Sequence, residues 1–171
     1  MHHTNSVEGR SEPRLAVELV PATSWGANLR AELSRAEWDR LRRQVTINAA
    51  NSCEICGRRG SRHAVECHEV WHYDDQAHVQ RLVRLIALCP ACHQVKHFGS
   101  TSMRGHSRAA LAHLARVNHW SYQDAERYVA RALEVWRRRS VHGWTLDLSA
   151  LQAYGIEPPK PTQQEDQLPN C

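Results

Sequence analysis

The chain has 171 residues, of which 42% are hydrophobic and 23% charged, with a formal net charge of +4 and a mean hydropathy of −0.60. This length excludes a large multidomain machine and leaves room for one ordinary domain or a small catalytic module with a helical extension, and the composition excludes a disordered chain. No segment approaches the roughly eighteen apolar residues of a membrane span, and the opening MHHTNSVEGRSEPR has no apolar signal core, so a cytoplasmic protein is expected.

Of the 22 Lys and Arg residues, 20 are Arg. Guanidinium forks match phosphate geometry, which points to an anionic polymer as partner. A general exchange of Lys for Arg in a GC-rich genome accounts for the same count, and composition alone does not separate the two.

In chain order, residues 1–12 are polar and expected to be flexible. Residues 13–52 form an N-terminal segment in which Ser34-Arg35-Ala36-Glu37 has the spacing of a capping box. Leu33, Trp38, Leu41, Val45 and Ala49 then recur at helical intervals, predicting a helix over about 35–49. Short, partly β-branched runs at 63–68 and 82–88 read as strands. Pro90 suits the first turn of a helix, predicted over 90–98 and stopped by Gly99. Residues 100–156 read as a mainly helical region. One helix carries Leu111, Leu114, Ala115 and Val117; another starts at Ser121, with Asp124 at its third position, and runs through Trp136 to Arg137-Arg138-Arg139. Val141–Leu151 reads as an extended segment that packs Trp144, Leu146 and Leu148 onto the domain, and the proline-rich 157–171 as a disordered tail.

The chemistry-bearing residues cluster between these helices. Cys53-x-x-Cys56 and Cys89-x-x-Cys92 have metal spacing and supply four thiolates, a set that a tetrahedral zinc ion satisfies with no position left open; such a closed site is structural. Cys67 reads as a small buried residue and Cys171 as a tail thiol. The second pair continues into Cys92-His93-Gln-Val-Lys-His97, which sets His93 and His97 four residues apart on one helix face, where two imidazoles can share a divalent cation. Glu66-Cys67-His68-Glu69 lies at the end of the first strand.

Together, Cys53-Glu-Ile-Cys56-Gly57, Glu66-Cys67-His68-Glu69, Leu85-Ile-Ala-Leu-Cys89-Pro-Ala-Cys92-His93 and Lys96-His97 resemble an HNH endonuclease of the bacterial and phage type, over about residues 53–99. The resemblance implies an α+β protein built on a small ββα-metal (His-Me finger) module with structural Zn2+, flanked by the N-terminal helix and the helical C-terminal region. It implies a hydrolase acting on DNA, dependent on a catalytic divalent cation such as Mg2+ or Mn2+. His68 then matches the general base that activates water, which an imidazole with the ordinary pKa near 6.5 can do at cellular pH. His93 and His97 match metal ligands. The family carries Asp or His just before the base, where this chain has Cys67; a hard cation prefers oxygen, so one of Glu66 and Glu69 is expected to complete the site. The family's middle Asn, which braces the loop carrying the base, is Arg84 here, so its role passes to Asp74, Asp75 or Gln80 or is absent. Trp71, His72 and Tyr73 read as substrate contacts or as packing. Cutting both strands with one active site needs two chains or two events, so a homodimer is the form expected of a double-strand cutter. The rival reading is a zinc-stabilised nucleic-acid-binding module without catalysis.

Overall fold

The computed structural model describes residues 12–26, 28–60, 65–159 and 162–163. The protein is a mixed α+β structure. After an extended stretch, a short helix α1 (Leu29–Glu32) and the helix α2 (Arg35–Asn48) lead to the first cysteine pair. A hairpin, β1 (Glu66–Asp74) and β2 (Val79–Leu88), is followed by α3 (Pro90–Lys96), α4 (Phe98–Met103), α5 (Ser107–Asn118) and α6 (Tyr122–Arg139). The chain returns as β3 (Thr145–Asp147), a 3-10 segment Ser149–Tyr154 and the two-residue β4 (Thr162–Gln163). The sheet order is β1-β2-β3-β4, with β1 antiparallel and β3 parallel to β2.

Local chemistry explains the helix starts. Ser34 Oγ accepts from the Glu37 N–H at 3.3 Å while Glu37 Oε2 accepts from the Ser34 N–H at 2.9 Å, the reciprocal capping box that satisfies two orphan donors. Ser121 caps α6 through the Asp124 N–H at 3.1 Å, and Arg137, Arg138 and Arg139 occupy its last turn.

Sequence and structure part in four places. The first strand reaches Asp74, taking in Trp71, His72 and Tyr73, and its partner begins at Val79; residues 61–64 lie outside the described residues. Polar and aromatic residues continue the ladder because the turn is tight: Asp74 Oδ1 accepts from the Gln76 and Ala77 N–H groups at 3.0 and 2.9 Å, and His78 takes a left-handed φ of 50°. Gly99 does not stop the helix at 98; the break falls at His97 (φ −89°, ψ 42°), and Gly99 lies inside α4, where a Cβ would stand 3.6 Å from Leu19. The segment 141–151 is extended only over Thr145–Asp147, although Trp144, Leu146 and Leu148 are buried as expected. Finally, Thr162–Gln163, in the predicted tail, pairs with β3. The predicted flexible residues 1–11 lie outside the described residues.

The sheet is covered on both faces. Ile86 and Leu88 join Leu15, Val95, Phe98, Leu114 and Val129 in one core, whereas Leu85 and Ala87 join Leu29, Leu41, Val45, Leu146 and Leu151 in another. Double coverage is why Leu85–Leu88 reads as an uninterrupted apolar run rather than an alternating one. Among the described residues no helix is long and apolar enough to cross a membrane.

Candidate metal centres

Cys53 and Cys56 lie on a tight knuckle in which the Gly57 N–H donates to Cys53 O at 2.8 Å and the Cys53 N–H to Arg58 O at 2.9 Å. Gly57 has φ +73°, a conformation that disfavours a side chain. The knuckle is stitched to β2: the Glu54 N–H donates to Ala87 O at 2.9 Å, and Glu54 Oε2 accepts from the Ala87 N–H at 2.7 Å. Arg84, which stands where the family resemblance led us to expect Asn, donates to Glu54 Oε1 at 2.9 Å and so braces the knuckle. Cys89 is the N-cap of α3, followed by Pro90, and Cys92 lies in its first turn.

These elements bring the four sulfurs within 4.8 Å of one another, with Cys56 Sγ and Cys89 Sγ 3.6 Å apart, a cluster able to hold a metal ion and compatible with zinc. Cys53 is pushed down to about 4, chiefly by the Cys92 thiol that donates to it, and Cys92 is pushed up by the same contact and by burial. Crowded thiolates repel one another, and a divalent cation relieves that repulsion. Behind Cys92 stands His113, whose Nε2 is 3.2 Å from Cys92 Sγ. Arg116 donates to His113 Nδ1 at 2.6 Å, which leaves Nε2 as the N–H that points at sulfur. Metal-binding thiolates are tuned by such outer partners.

A second cluster lies beside it. His68 on β1, His93 in the middle of α3 and His97 at its C-cap hold ligand atoms within 4.8 Å of one another. His93 Nε2 and His97 Nε2 are 3.1 Å apart, the spacing of two nitrogens on one ion at the usual bond length of about 2 Å. His68 is 2% exposed and neither of its ring nitrogens has a hydrogen-bond partner, an unusual state for a buried imidazole that calls for a ligand or an ion. Its Nε2 is 3.6 Å from Glu18 Oε2. Burial first, and then the neighbouring histidines, hold His93 and His97 down to about 4, so both are neutral donors at pH 7.

The two glutamates divide their roles. Glu66 Oε2 is 2.8 Å from His93 Nδ1, so it takes that N–H and leaves Nε2 with its lone pair toward His97. Glu69 Oε1 accepts from the Leu29 N–H at 3.4 Å and anchors α1. Neither belongs to the three-histidine group. Cys67 is pushed up to about 12, first by burial, and stays a thiol. Of the residues considered for bracing, Asp74 caps the hairpin turn, Asp75 pairs with Arg139 at 2.6 and 2.8 Å, and Gln80 is buried with its amide unpartnered; none bonds the His68 ring. Tyr73 packs edge-on against Trp144 with Arg139 over its ring.

Two residues outside the sequence expectations complete the picture. Glu18 receives the Trp71 N–H at 3.1 Å and Lys96 Nζ at 3.3 Å, and its own N–H donates to Lys96 O. A carboxylate inside Leu15-Ala-Val-Glu-Leu-Val20 is the signal that marks it. His113 shares the apolar stripe of Ala110, Leu114 and Val117, an interruption visible in the periodicity.

The histidines lie in an open groove of about 1150 Å³, whose other lining includes Trp25, Trp38, Trp71, Trp136, Arg30 and Arg43. No family model matches this chain, and no curated protein or solved structure matches it either.

Proposed function

We propose that the protein is a divalent-metal-dependent endonuclease of the HNH kind, hydrolysing phosphodiester bonds of DNA on a ββα-metal module with structural zinc on Cys53, Cys56, Cys89 and Cys92. The observation that carries the reading is the convergence of His68, His93 and His97 on one point of a groove, on a strand–strand–helix unit whose helix also carries two of the four clustered thiols.

In this reading His93 and His97 hold the catalytic cation through their Nε2 atoms, with Glu66 fixing the His93 ring. Such a cation supplies Lewis-acid stabilisation of the charge that develops on the scissile phosphate and the leaving 3′ oxygen. An imidazole pair favours a transition metal over magnesium. His68 takes the proton of the attacking water as the new P–O bond forms and the bond to the 3′ oxygen breaks. Glu18, 3.6 Å from His68 Nε2, stabilises the imidazolium that results. The low exposure of His68 keeps it a base for a group lying in the groove rather than for bulk solvent.

A second reading follows from the 4.8 Å grouping, in which His68 is a third ligand to the same ion. His68→Ala separates the two. As base, its loss costs about a hundredfold to ten-thousandfold in the rate of plasmid nicking with manganese, while the affinity of the imidazole site for manganese is kept. As ligand, its loss weakens that affinity, and excess manganese restores part of the rate. His93→Ala behaves as a ligand loss in both. Undiminished nicking by pure, folded His68→Ala refutes both readings.

A further inference from the structure

The groove wall is of a different character from its floor. Four of the six tryptophans of the chain, Trp25, Trp38, Trp71 and Trp136, line it. Trp25 is 62% exposed, yet it is held: its Nε1 donates to Val20 O at 3.0 Å, and Trp136 Nε1 donates to the same oxygen at 2.9 Å. Trp38 is capped on one face by the Arg30 guanidinium, 5.7 Å from the ring centroid. Indoles fixed in this way present flat apolar faces with little ordering cost on binding.

Charge is divided in the same sense. The acids of the floor are engaged: Glu18 with Lys96, Glu66 with His93 and Glu69 with the Leu29 N–H. The wall carries Arg30 and Arg43, and Arg43 has no ion pair among the described residues. A ligand that suits this surface carries flat rings along an anionic backbone. In a duplex the base faces are stacked on one another and only their edges are offered, so indole faces have nothing to receive. An unpaired strand offers the faces of its bases as well as its phosphates.

We infer that the groove binds an unpaired stretch of DNA, its bases stacked on Trp25 and Trp38 and its phosphates on Arg30 and Arg43, so that a single-stranded segment rather than an intact duplex descends to His68, His93 and His97. This inference rests on the reading of the histidine cluster as a phosphodiester-hydrolysing site and names the form in which its substrate is presented. The volume of about 1150 Å³ slightly exceeds the usual range for small-molecule sites, which suits a few nucleotides.

The test uses the full-length protein and a fluorescein-labelled DNA oligonucleotide, alone or annealed to its complement, followed by fluorescence anisotropy without added divalent cation so that nothing is cut. The single strand should bind at least tenfold more tightly than the duplex at equal salt. Trp25→Ala should weaken single-strand binding about fivefold to a hundredfold, as loss of one base-stacking partner does, with duplex binding unchanged within twofold. Trp25→Phe should recover most of the affinity, which a folding defect would not do. Val141→Ala, at an exposed apolar residue away from the groove, should change nothing. Arg43→Ala should lower the slope of log affinity against log salt by about 0.7.

Equal or tighter duplex binding, an unaffected Trp25→Ala protein, tighter binding of the same sequence as RNA, or displacement of the strand by anionic lipid vesicles would each overturn the inference. Cleavage is scored separately with manganese. Duplex cleavage that is indifferent to Trp25 sinks the inference and spares the hydrolytic reading, whereas Trp25-dependent single-strand binding without cleavage of any nucleic acid does the reverse.

Discussion

Replacing His113 by Phe tests whether the clustered thiols hold a metal whose affinity is set from outside the ligand set. Burial, and then the charge of Arg116, push the His113 pKa down, so at neutral pH the ring is neutral and carries a single N–H. Arg116, donating at 2.6 Å, occupies Nδ1 and assigns that N–H to Nε2, 3.2 Å from Cys92 Sγ. Removal of an outer partner of this kind typically costs tenfold to a hundredfold in metal affinity, about 1.4 to 2.8 kcal/mol. The apo protein should respond with the opposite sign or not at all. Phe fills the volume of a side chain that is only 6% exposed and removes a polar ring from an apolar stripe. Zinc affinity by competition with a coloured chelator, and the thiolate-to-cobalt charge-transfer band of the cobalt-substituted protein, read the effect directly. Arg116→Leu frees the tautomer without removing the ring, and its loss should be smaller, under about tenfold. Zinc affinity unchanged within twofold in His113→Phe, together with an unshifted cobalt band, would refute the argument.

Three further outcomes follow from the same geometry. Glu18→Ala strands Lys96, which is 8% exposed, and should destabilise the protein by about 3 to 5 kcal/mol in urea unfolding; Glu18→Gln, which keeps an acceptor for the Trp71 N–H but also removes the charge, should cost somewhat less, and a wild-type midpoint in Glu18→Gln would count against the ion pair. The His93 pKa is held down to about 4 in the fold, against about 6.5 in an unfolded chain. Between those values the unfolded state binds the proton that the native state refuses, so stability is full above about pH 6.5 and falls as pH drops toward 4. For EDTA-treated protein at pH 5 this loss is about 2 kcal/mol relative to pH 7.5, and His93→Gln should flatten that dependence; an identical slope in the variant would exclude His93 as its source. Cys67, partly buried in the groove wall and held up to about 12, should resist iodoacetamide at pH 8 in the folded protein, and labelling at the rate of free glutathione would contradict that upward shift.

What was legible in the sequence was local. The capping box at Ser34 and Glu37, the cap at Ser121 and the x-x spacing of each cysteine pair are relations within a few residues, and the structure realises each as a hydrogen bond or a close sulfur contact. The i, i+4 spacing of His93 and His97 likewise carries straight through to a 3.1 Å approach. Relations across the fold were not legible. Glu18 meets His68 and Lys96 from positions 50 and 78 residues away in the chain, so only the charge inside its apolar run marked it. Glu66 and Glu69 look equivalent in sequence, but three residues apart on a strand they turn to opposite faces, one to His93 and the other to Leu29. The length of β1 escaped because a hairpin is fixed by its turn and by its partner, and the Trp71-His72-Tyr73 run pairs with Leu82, Arg81 and Gln80 despite its polarity.

The two clusters are mechanically unequal because they share α3. That helix has seven residues, too short to be stable on its own. Its first turn is held by the thiols of Cys89 and Cys92, and the ladder from Cys89 O to the His93 N–H at 2.9 Å and from His93 O to the His97 N–H at 3.0 Å carries that anchoring to both imidazoles. At the far end, the Glu18 N–H to Lys96 O bond and the Thr101 Oγ1 bond to Gln94 O at 2.8 Å hold the backbone without touching either histidine. Removing a cation from the imidazoles therefore leaves every one of these restraints in place. Removing one from the thiols returns four crowded sulfurs to mutual repulsion and loosens the turn on which the His93 ring is mounted. Binding of a cation by the histidines, as proposed above, would thus depend on the thiol cluster, and the reverse dependence would be weak.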